Sequence, residues 1–163
     1  MKKPATIWLL LVLFAASLIR GITVMVEQSE SQLFQLFAAA SIEGVFFVLV
    51  VASVLLDGAT LRYLWRPEPA GLRVGLASLA VGAAFALLAG LIAMAHPDLI
   101  RVLVIAAYEE SGRPLDPRAF ELATSNTAIA ARTGVTLAKV TLCAWLLVWN
   151  RAYFEKRGQT PFS

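Results

Sequence analysis

The chain has 163 residues, 59% of them hydrophobic and only 15% charged, with a net charge of +3. A soluble domain carries about a quarter charged residues, so this composition excludes an ordinary soluble globular fold. A single cysteine, Cys143, and a single histidine, His96, exclude an internal disulfide framework, a zinc site of Cys and His ligands, and a haem held between two histidines of one chain.

The apolar residues fall in long blocks separated by turn residues and charges. Only helices and closed barrels satisfy every backbone group in lipid, and the alternation that marks barrel strands is absent. The expected class is an all-α integral membrane protein, a single four-helix domain over 1–163. The first block runs from Ala5 to Val26 behind Lys2 and Lys3, interrupted only by Arg20. Ala15-Ala16-Ser17 resembles a signal-peptide cleavage site. The apolar character continues to Ile19 and resumes at Ile22, which favours an uncleaved span.

A polar loop, Glu27 to Ser31, leads to the second expected span, Leu33 to Leu56, which ends at Asp57-Gly58. Arg62, Arg66 and Arg73 follow, with Tyr63 and Trp65 among them, as at a membrane–water interface. Pro67 and Pro69 end any helical extension. The third span, Val74 to Ala95, has no charge in 22 positions. Ser78, Gly82, Ala86 and Gly90 recur along it every fourth residue, and Gly71 and Gly75 precede them, a pattern that suits close helix packing within the chain.

His96-Pro97 closes that span. In the long connection over 96–126, Leu99 to Tyr108 is mostly apolar, interrupted by Arg101, but too short to cross, and reads as an interfacial helix. Gly112-Arg113-Pro114 breaks it, and Asp116-Pro117 reads as an N-cap followed by proline at the first helical position. The fourth span, Thr127 to Trp149, is the most polar, with Arg132, Thr133, Thr136, Lys139 and Thr141. Trp8, Trp65, Trp145 and Trp149 lie near expected boundaries as anchors. Lys2, Lys3, Arg62, Arg66, Arg73, Arg151, Lys156 and Arg157 fall on one side, which places both termini in the cytoplasm of a cell whose inner membrane holds the chain.

Ionisable groups inside spans are costly and mark function or packing. Four qualify as binding candidates: Arg20, Glu43, Arg132 and Lys139. At 1.5 Å per residue, Glu43 and Lys139 come out about 15 and 18 Å deep, and the two arginines about 8–9 Å deep. Arg132, Thr136, Lys139 and Cys143 share one helix face. The simplest arrangement sets that face against Glu43 as an ion pair, a device that fixes helix register. His96 reads as an interfacial residue and Cys143 as a small buried hydrophobe.

No nucleophile, metal set or Walker-type phosphate loop can be assembled, and no basic cluster is interleaved with aromatics as nucleic-acid binding requires. The reading favoured by the sequence is a small, non-catalytic accessory subunit without a cofactor. Its partners are the bilayer and other membrane subunits or a second copy of itself. The alternative is a homo-oligomeric transporter or channel built on Glu43 and Lys139. A membrane enzyme acting on lipid or quinone ranks third.

Overall fold

In the computed structural model, residues 3–27, 31–112 and 116–155 are described, apart from the side chain of Glu110. Among them there are eight helices and no strand. Lys2, Lys156, Arg157 and the Arg113-Pro114 breaker lie outside the described residues, as does the middle of the Glu27–Ser31 loop.

Four helices are long and apolar enough to cross a membrane: α1 (Ala5–Val26), α3 (Glu43–Trp65), α4 (Ala70–Ala95) and α7 (Asn126–Trp149). Their 22 to 26 residues rise about 33–39 Å, enough to cross a hydrocarbon core of about 30 Å. The chain is therefore a multi-pass helical membrane protein. The first and fourth expected spans agree with α1 and α7 within a residue.

The second span differs. A short helix, α2 (Gln32–Ala39), ends at a tight turn in which Ser41 takes φ 56°, and α3 starts afresh at Glu43. The spanning helix is shifted ten residues along the chain, to Glu43–Trp65, with Asp57 and Gly58 inside it. It stops at Arg66, ahead of Pro67. Glu43 occupies the first turn of α3, where a carboxylate complements the helix dipole.

Local chemistry sets the other boundaries. Pro97 occupies the first turn of α5 (Pro97–Ser111), and Gly112 closes that helix at φ 63°, a left-handed conformation that glycine adopts without strain. Asp116 caps α6 (Pro117–Thr124) by accepting from the Arg118 amide at 3.0 Å. Ser125 then caps α7, accepting from Ala128 N at 3.2 Å, so α6 and α7 are separate helices.

α1 packs along α3, α3 along α4, and α4 along α7. α1 and α7 touch far less. A hydrogen bond from Thr6 Oγ1 to Asn150 Oδ1 (3.0 Å) joins the start of α1 to the residue that follows α7. At that end Ile7, Leu10 and Phe14 pack with Leu64, Leu147 and Phe154, the last from α8 (Arg151–Glu155). Lys3 sits 3.5 Å from the centre of the Trp65 ring, and Trp8 meets Trp65 edge to face.

The opposite end is sealed by Phe37, Phe46 and Phe85, with ring centres 5.4 to 5.9 Å apart, together with Ile100 and Leu103 of α5. Between the two apolar ends lies a polar middle.

The small residues of α4 are spent largely on packing inside the chain. A Cβ built on Gly71 would lie 2.7 Å from Tyr63 Cβ, one on Gly75 2.9 Å from Leu147 Cδ1, and one on Gly90 2.5 Å from Thr133 Oγ1. Gly82 meets nothing within 4 Å, because it faces a cleft.

Candidate functional site

Because α1 and α7 diverge away from the Thr6–Asn150 contact, the arc of four helices stays open along one side. The opening leads into a cleft of about 580 Å³. Its floor is the small-residue face of α4, including Gly82, Ala86 and Gly90. Leu36 of α2 and Leu103 of α5 close one end.

Arg20 and Ser17 contribute from α1, Ser53 from α3, and Arg132, Thr133 and Thr136 from α7. The lining is mostly apolar and includes two guanidinium groups but no carboxylate. The sole ion pair among the described residues is Arg101–Asp98, at 4.0 Å on the surface. Neither cleft arginine therefore has an acidic partner there.

Helix register sets the relative heights. Gly90 lies against Thr133, Gly75 against Leu147 and Thr60, and Gly21 against Val54. Through these contacts Arg132 stands about 15 Å nearer the phenylalanine-sealed end than Arg20, at 1.5 Å per residue. Lys139, seven residues after Arg132, returns to within about 5 Å of the height of Arg20. It is exposed and does not line the cleft. It shares the Arg132 face of α7, and adjacent Val140 is in the lining. Lys139 thus stands at the lip of the opening.

Of the four sequence candidates, Arg20 and Arg132 are brought together in one cleft, with Lys139 beside it. Glu43 is not among them. It begins α3 about 13 Å from the height of Lys139 by the same register, and no Glu43–Lys139 ion pair forms among the described residues. The depth match failed because it counted from Leu33, whereas the spanning helix begins at Glu43.

The carboxylate that does lie deep in the spans is Asp57, only 4% exposed. It stands eight residues, about 12 Å, from Trp65 at the interfacial end of α3. Ser17 of α1 donates to its Oδ2 at 2.6 Å, and Ser78 of α4, also 4% exposed, donates to its Oδ1. One turn earlier on α3, the Ser53 hydroxyl is buried without a hydrogen-bond partner among the described residues. Three helices thus deliver a carboxylate and hydroxyls to one place, and Ser17 and Ser53 also line the cleft.

Asp57-Gly58 in the sequence resembles a span terminus. The true stop is Arg66-Pro67. Ser53 and Asp57, spaced i, i+4 ahead of the Leu61–Leu64 continuation, were the available signal.

No protein-family model, curated protein or solved structure matches the chain.

Proposed function

We propose that this multi-pass membrane protein binds an anionic amphiphile from the bilayer and holds it without converting it. The observation that carries this reading is that α1 and α7 each place an arginine in one apolar cleft, with no carboxylate in the lining. Unpaired cations among spanning helices are costly and mark a ligand or substrate path. Arginine is suited to two-pronged recognition of carboxylate or phosphate. The cleft volume of about 580 Å³ lies within the range of small-molecule sites, about 300–1,000 Å³. That size suits one acyl chain with a compact acidic head, such as a fatty acid or a lysolipid, better than a two-chain lipid.

In this reading the protein is an accessory subunit that presents its ligand to other membrane proteins. Lys3, Arg62, Arg66, Arg73 and Arg151, all near the end where α1 begins and α7 stops, support placing that end in the cytoplasm and the chain in a cell inner membrane.

The test is equilibrium binding of a fluorescent fatty acid, and of its uncharged alcohol analogue, to purified protein in lipid nanodiscs. One of Arg20→Gln and Arg132→Gln, whichever removes the guanidinium that holds the acidic head, is expected to weaken the acid by about 10- to 100-fold, the worth of a hydrogen bond to a charged group, and the other, standing more than a helix turn away, to change it little. The alcohol should bind weakly to all forms. Equal binding of acid and alcohol by the wild-type protein rejects the reading.

A further inference from the structure

The Asp57 cluster has a charge balance that the cleft does not explain. Asp57 is buried within the spans, and no cation lies within 4 Å of it among the described residues. Two serine hydroxyls donate to it, but they are neutral. An ionised carboxylate in this setting needs a compensating positive charge.

The donors that converge here are all hard oxygens: the carboxylate, Ser17 and Ser78, with the unpartnered Ser53 hydroxyl one turn away. Each serine that donates its proton to Asp57 keeps lone pairs free to coordinate. Among the described residues no three His, Cys, Asp or Glu side chains gather in a way that holds a metal ion. That argues against transition metals, and one negative charge suits a monovalent rather than a divalent cation.

We propose that Asp57, with Ser17, Ser53 and Ser78, forms a sodium-ion site between α1, α3 and α4. The ion neutralises the carboxylate, and Ser53 supplies an oxygen that otherwise has no partner. Ser17 and Ser53 belong to both the cluster and the cleft lining, so ion and amphiphile occupancy are linked. By reciprocity, sodium raises amphiphile affinity by the factor by which amphiphile raises sodium affinity. The linkage rests on the amphiphile reading, whereas the ion site stands without it.

The experiment therefore begins with amphiphile-free protein in detergent. Binding of radioactive Na⁺ is measured at fixed pH, with choline holding the ionic strength constant. The expected result is saturable binding of one ion per chain, lost in Asp57→Asn. Ser53→Ala is the companion variant, because a hydroxyl without a partner can be removed without unfolding the chain. It should retain the wild-type melting temperature in sodium-free buffer and weaken Na⁺ binding at least tenfold.

Absence of saturable Na⁺ binding to the wild-type protein overturns the proposal. So does wild-type Na⁺ affinity in a folded Ser53→Ala protein, or thermal stability that follows pH but is indifferent to Na⁺. Repeating the fatty-acid titration with and without Na⁺ tests the linkage separately. An unchanged affinity overturns the linkage and leaves the ion site standing.

Discussion

Removing the Ser78 hydroxyl tests whether the buried hydrogen bonds to Asp57 carry real energy. Ser78 and Asp57 are each 4% exposed, so in Ser78→Ala no water replaces the lost donor. A hydrogen bond to a charged group is worth about 1.5–3 kcal/mol. Ser17 donates to the other carboxylate oxygen at 2.6 Å, but it also lines the open cleft. Water can substitute there, and Ser17→Ala should cost about 1 kcal/mol or less.

The assay is reversible unfolding in mixed detergent micelles, with sodium at one fixed concentration and no amphiphile. Each variant is measured alone and in an Asp57→Leu background. Deleting both partners of a buried bond is nearly neutral, so Ser78→Ala should cost little once Asp57 is leucine. The coupling energy should then be about 1.5–3 kcal/mol, well beyond the roughly 0.5 kcal/mol within which independent sites add. Equal cost of Ser78→Ala in both backgrounds, or a larger cost for Ser17→Ala than for Ser78→Ala, would refute the reasoning.

Gly71→Ala places a methyl 2.7 Å from Tyr63 Cβ, an atom fixed by its own backbone. It should destabilise by about 1–3 kcal/mol through overpacking, whereas Gly82→Ala, with nothing within 4 Å, should be neutral or slightly stabilising in the same unfolding assay. Ser125→Ala removes the cap of α7 and should cost about 0.5–2 kcal/mol, with faster amide exchange confined to the first turn of that helix.

The spanning segments show how far local composition reaches. Long apolar runs must satisfy their own backbone in lipid, so α1 and α7 were readable almost to the residue. The Asp116 cap was readable as well, because it depends on neighbours two positions away. The close-packing role of the α4 glycines also followed from their spacing, although spacing did not say which partner each would meet.

The second span was misplaced because Leu33 to Leu56 is apolar apart from Gln35, Ser41, Glu43, Gly44 and Ser53, and composition does not register a left-handed turn at Ser41. That turn exists because α2 folds back to pack against α3 and α4, as the burial of Phe37 reflects. Its consequence is chemical. Moving the helix start to Glu43 takes this carboxylate out of the depth of Lys139 and puts Asp57 among the spans.

The sequence by itself determined that this is a four-span helical membrane protein, and it singled out Arg20, Glu43, Arg132 and Lys139 as costly charges among apolar neighbours. These are properties of each segment against lipid. Only the tertiary structure decided that the two arginines share a cleft, that Glu43 stands apart, and that Asp57 is held by serines from two other helices. Those outcomes depend on which faces of α1, α3, α4 and α7 meet and in what register. That is settled by small residues and aromatic rings packing across helices far apart in the chain, beyond the reach of any local pattern.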